Sequence, residues 1–106
     1  MEAVSLYSTW PDLETAKAAA RALVEAKLAA CANILPGAAS IYRWDGRIQM
    51  DAEVVMLVKT TLPQADAARD EMLKRHPYDT PCVLALTLSQ PGSNNDFIRW
   101  IASETS

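Results

Sequence analysis

Residues 31–60 read CANILPGAASIYRW, then DG, then RIQMDAEVVMLVKT. Two extended, β-branched and aromatic runs flank Asp45-Gly46, the pair that tolerates positive φ at both central positions of a tight turn. The stretch therefore predicts a β-hairpin. Its first arm runs from Cys31 to Trp44 with Pro36-Gly37 midway, the mark of a bulge or an edge where a missing amide does no harm. Its second arm runs from Arg47 to Thr60 and holds the continuous apolar run Val54–Val58, the pattern of a strand covered on both faces. About 14 residues per arm at roughly 3.3 Å each span some 45 Å. A chain of 106 residues has a radius of gyration near 13 Å. The hairpin must project, and an apolar arm with open edges needs cover. A closed homo-oligomer of cyclic symmetry, each arm extending a neighbour's sheet, supplies it.

On the N-terminal side, Ala3–Thr9 alternates as a strand and ends at Trp10-Pro11. Asp12 reads as the N-cap of a helix reaching about Ala29. Leu13, Ala16, Ala20, Leu23, Val24, Lys27 and Leu28 form one face, and Arg21 and Glu25 form an outward i,i+4 pair. On the C-terminal side, Thr61 caps a second helix with Pro63 in its first turn and Ala65, Ala68, Met72 and Leu73 buried, ending at His76-Pro77. Asp79-Thr80-Pro81 is a turn, and Cys82–Leu88 a short buried strand. After a loop at Pro91–Asn94, Asn95–Ser103 is a last helix with Phe97, Ile98 and Ile101 inward. The order β-α-β-β-α-β plus a C-terminal helix predicts a ferredoxin-like α+β fold, a four-stranded antiparallel sheet with two helices on one face, in a single domain over residues 1–106.

Composition narrows the function classes. Half the residues are hydrophobic and the net charge is −3, which excludes a disordered chain. The longest apolar runs have five residues, far short of the ~20 of a membrane span. Ten basic against thirteen acidic residues give no electrostatic case for nucleic acid. Cys31 and Cys82 make no disulfide framework. With no signal peptide legible at Met1-Glu2-Ala3, they read as free thiols in a reducing cytoplasm. No Ser-His-Asp set, HExxH, Walker loop or GxGxxG is present, so the chain is expected to be no enzyme and to need no organic cofactor.

A few residues can carry chemistry. His76, the lone histidine, either completes a helix C-terminus or serves as a metal ligand. With Cys31 and Cys82 it would form a plausible Cu(I) or zinc set, although no CxxC pair exists and buried thiols also serve as small hydrophobes. Asp51 and Glu53 read as a solvated strand face. Lys59, after five apolar residues, either snorkels to solvent or neutralises an anionic ligand in a cleft lined by Trp44, Tyr42 and Tyr78. The two aromatic residues of the arm serve equally as packing or oligomer contacts.

Several of these stretches resemble the CutA divalent-cation tolerance family. They are residues 21–25 (RALVE), 27–31 (KLAAC), 33–37 (NILPG), 40–46 (SIYRWDG), Glu53-Val54, Lys59-Thr60 and His76-Pro77-Tyr78, in the family's order over nearly the whole chain. The resemblance implies a ferredoxin-like subunit in a tight homotrimer, and a cytoplasmic protein linked to divalent metal tolerance that binds copper. It also implies a likeness to the PII signalling proteins, whose ligands sit between subunits. Ser8, Asp79 and Cys82 stand where other members carry a cysteine, a Glu or Gln, and a Glu. The metal positions carried over are His76 and Cys82, with copper or another divalent cation as ligand. The alternative is a small anionic effector in an intersubunit cleft of Lys59, Trp44 and Tyr78.

Overall fold

The structure, a computed structural model, describes residues 2–106. Its elements are β1 (Ala3–Trp10), α1 (Leu13–Glu25), β2 (Cys31–Trp44), β3 (Arg47–Thr61), α2 (Leu62–Arg75), β4 (Val83–Leu88) and α3 (Asn95–Glu104). The sheet runs β2-β3-β1-β4, antiparallel throughout. This is the ferredoxin-like order expected, with α1 and α2 on one face.

Alternation along the central strands sorts the two faces. Val4, Leu6 and Trp10 of β1 and Val54, Met56 and Val58 of β3 turn toward the helices. There they pack against Ala16, Ala19, Ala20 and Leu23 of α1 and Ala65, Ala68 and Met72 of α2. Burying each large side chain of this set contributes about 1.5–3 kcal/mol. On the opposite face α3 covers one end only, where Ile98 and Ile101 meet Ala3, Ala30 and Leu88.

The hairpin forms as its residues dictate. Asp45 and Gly46 have φ of 52° and 74°, both positive as a type I′ turn requires. The register slips between Leu35 and Ala38, placing the bulge at Pro36-Gly37. The arms give the chain a long axis of 44 Å against 28 and 22 Å across it.

Four expectations need correction. First, α1 stops at Glu25 rather than near Ala29. Lys27 adopts φ 60°, and the amides of Lys27 and Leu28 turn back to the carbonyls of Val24 and Leu23, a Schellman closure. Val24 is consequently exposed. A lysine at this left-handed position carries strain that glycine lacks, partly offset by glycine's greater freedom in the unfolded chain. Lys27→Gly is therefore expected to stabilise the fold by about 0.5–1 kcal/mol, read as a raised urea midpoint; an unchanged or lowered midpoint would refute it.

Second, Thr61 stands at the N-cap of α2, but its hydroxyl makes no capping bond. The amide of Leu62 instead donates to the Glu2 carbonyl at 3.0 Å, so β1's start closes this helix end. Third, Leu73 and Phe97 are exposed; Met72 takes the buried place on α2, and Phe97 packs on Trp100 with ring centroids 5.2 Å apart. Fourth, the strand expected to be buried over Cys82–Leu88 begins at Val83 and is an edge with Leu84 and Leu86 exposed. Its outer face lies beyond the reach of α3, and Cys82 is an exposed thiol rather than a core residue.

Candidate functional site

Helix α2 ends where Pro77 cannot continue it, and the chain from His76 to Cys82 folds back over the end of β1. His76 anchors this return. Its ring is buried against Trp10, centroids 4.3 Å apart. Nε2–H donates to the Thr9 carbonyl at 2.8 Å, and Nδ1 accepts the amide of Tyr78 at 3.2 Å. A carbonyl can only accept and an amide can only donate, so these partners fix the tautomer and occupy both ring nitrogens. The Tyr78 ring lies beyond, its centroid 4.8 Å from that of the imidazole and tilted 54° to it, and its hydroxyl donates to Glu53 at 3.3 Å. Trp10, His76, Tyr78 and Glu53 thus form one chain of contacts from the core to the surface.

Where this chain surfaces, a cavity of ≈ 760 Å³ opens between the loop, the end of β1 and the hairpin arm. Tyr42 and Trp44 of β2 and Asp51 and Glu53 of β3 line it from the arm; Tyr78, Asp79 and Cys82 line it from the loop. No lysine or arginine is in its lining. The phenol of Tyr42 donates to Asp51. That bond to a carboxylate, helped by the negative charge itself, holds the Tyr42 phenol above its usual pKa. Burial first, and the neighbouring Glu53 charge second, push Tyr78 up in the same way. Both phenols are held in their protonated, donating form.

The residues singled out from sequence fall into three places. Trp44 and Tyr78 do share one cavity, as a cleft requires. Lys59 does not join them: it sits opposite Cys31 at the far end of β3. Its ammonium donates to Asn33. Twelve strand positions from Arg47 to Lys59 correspond to ~40 Å. His76 and Cys82 are also separated in role, the imidazole buried under Trp10 and the thiol on the cavity wall. Cys31 lies half-buried beside Lys59, its thiol pushed up by burial. No group of three or more His, Cys, Asp or Glu side chains converges to hold a metal ion among the described residues.

Asp51 and Glu53 were expected as a solvated face; Asp51 is exposed and Glu53 half-buried, and both also line the cavity. Their two-residue spacing put them on one face of β3. Only the register beyond the bulge shows that it is also the face of Tyr42 and Trp44. Ser8, which stands where other members carry cysteine, is fully buried. Its hydroxyl accepts from Trp10 Nε1 at 2.7 Å and faces the Met56 carbonyl, so it is a core residue.

The sequence profile described as CutA1 divalent ion tolerance protein matches residues 4–104. The chain belongs to this family. Two bacterial relatives agree over nearly their whole length. The divalent-cation tolerance protein CutA of Thermus thermophilus is 41% identical over 105 residues, covering 99% of each chain. That of Pectobacterium atrosepticum is 39% identical over 100 residues, covering 94% of this chain and 89% of the relative. The crystal structure of CutA from Xylella fastidiosa superposes with a TM-score of 0.95 at 36% identity, covering all of both chains. These names connect the CutA1 family to tolerance of divalent cations, and the structural match agrees with the ferredoxin-like subunit read from the sheet order.

Proposed function

We propose that the chain acts as a non-enzymatic homotrimer in divalent metal tolerance, binding copper weakly as cargo through its surface cavity. The observation that carries the metal reading is the gathering of Cys82, Asp51, Glu53 and Asp79 on one cavity whose lining holds no cationic side chain. A thiolate favours soft ions and carboxylates add charge. Weakness follows from the donor count: strong sites need a converged shell, and His76 can lend a nitrogen only by releasing Thr9 or Tyr78. The exposed free thiol fits a reducing compartment such as the cytoplasm. The acidic lining and the commitment of Lys59 to Asn33 disfavour the anionic-effector reading within one subunit.

Support for assembly comes from apolar surface without cover. Ile41, Trp44 and Met50 on the arm are 68%, 65% and 71% exposed, and Leu84 and Leu86 lie bare on β4. A soluble single subunit rarely leaves so much apolar surface open. Titration of the protein with Cu(II) and Zn(II) by calorimetry tests the metal reading. Wild type should bind copper weakly, and Cys82→Ala should weaken it by at least about tenfold. Coinciding isotherms of wild type and variant would refute the site. Sedimentation should give three times the subunit mass of 11.6 kDa.

A further inference from the structure

The cavity has two kinds of wall. Tyr42 and Trp44 of the arm and Tyr78 of the loop bring three aromatic rings to it; Asp51, Glu53 and Asp79 bring three carboxylates. All three rings are exposed, and that of Trp44 touches no other ring among the described residues. Tyr42 donates to Asp51 and Tyr78 to Glu53. Each such bond uses one of the roughly four acceptor sites of a carboxylate and leaves the others open. Asp79 makes no hydrogen bond or ion pair among the described residues. Arg47, opposite Trp44 at the arm's tip, stands outside the lining, so no cation of the chain neutralises these charges there.

We propose that this cavity binds an aliphatic polyamine, with its ammonium groups on Asp51, Glu53 and Asp79 and its methylene chain against Trp44, Tyr42 and Tyr78. The volume of ≈ 760 Å³ lies within the roughly 300–1,000 Å³ of small-molecule sites and far exceeds what a bare ion occupies. Aromatic faces are negative and attract ammonium groups, while they cover the methylenes between them. Carboxylates accept the ammonium N–H groups in charge-assisted bonds. Other ligand classes match one wall only. An anion would meet three like charges, and an uncharged apolar molecule would strip water from carboxylates without pairing them. A quaternary ammonium ion has no N–H to give. Asp51 and Glu53 stand about 7 Å apart along β3, a span that two amines joined by a short methylene chain can match. The site shares Asp51 and Glu53 with the metal reading but does not rest on it: the metal depends on the Cys82 thiol, the polyamine on the rings.

Calorimetric titration with spermidine at neutral pH and low salt tests this. Hexanediol serves as an uncharged control and tetramethylammonium as a cation without N–H groups. Wild type should bind spermidine, more weakly as salt rises, and neither control at the same concentrations. Trp44→Leu keeps apolar bulk without a π face and should weaken binding about threefold to tenfold, whereas Trp44→Phe should retain most of it. Glu53→Gln removes a charge at nearly constant shape and should weaken binding at least about threefold. Cys82→Ala should bind spermidine like wild type while its copper binding falls, and Trp44→Leu should still take copper. Four results would each overturn the polyamine site and leave the metal reading standing: no spermidine binding by wild type, equal binding of either control, equal losses for Trp44→Leu and Trp44→Phe, or a Glu53→Gln isotherm that coincides with wild type. Coinciding copper isotherms of wild type and Cys82→Ala would remove the metal reading alone.

Discussion

Trp10→Ala is expected to cost about 3–5 kcal/mol, a large share of the 5–15 kcal/mol that holds a domain of this size together. The indole is completely buried at the end of β1, its N–H is bonded to Ser8, and its ring supports His76. Alanine opens a cavity in the helix-facing core at the end of β1 and deprives the imidazole of its floor. Trp10→Phe keeps most of the volume and loses chiefly the indole N–H···Ser8 bond, so it should cost only about 1–2 kcal/mol. Equilibrium urea unfolding at matched protein concentration reads both, since association adds to apparent stability. Equal losses for the two variants would show that the ring's volume is not what the core needs.

His76→Ala is the second large effect, about 2–4 kcal/mol. It removes a buried ring and leaves the Thr9 carbonyl without its donor. It also frees the Tyr78 amide, whose hydrogen exchange should accelerate as the loop loosens. The imidazole and the indole touch, so the double variant should cost less than the sum of the two single ones. An unaltered melting curve for His76→Ala would contradict this structural role. Any loss of copper binding in His76→Ala must be read beside that loss of stability. Cys82, exposed on the cavity wall, is the cleaner probe of the metal reading.

The succession of elements was legible because strong local signals mark it: proline beside the ends of α1 and α2, Asp45-Gly46 at the turn, Pro36-Gly37 at the bulge. Features set by distant partners were not. His76 bonds to a carbonyl 67 residues away in sequence, which no spacing announces. The closing of α1 by a lysine at positive φ hides from any reading that looks for glycine there. The apolar run of β4 matches a buried strand, yet an edge position leaves its outer leucines bare. In the candidate site, Trp44 and Tyr78 were identifiable as aromatic residues near one end of the hairpin. Within one subunit Lys59 stands far from them, because proximity along a motif says nothing of distance along a straight strand. Asp51 and Glu53 were read as a solvated face because alternation along one strand does not show that the loop at Tyr78–Cys82 closes a cavity over it.

The sheet order has a consequence for biosynthesis. Of the four strands of the sheet, β1 is made before the others and is the only one whose two neighbours are both made later; Ala3 pairs with both Thr61 and Leu88. While the nascent chain grows, this strand therefore waits unpaired until β3 is made, and its second partner arrives only when β4 emerges. The hairpin, whose halves are adjacent in sequence, can form earlier and offer a template onto which that waiting strand docks.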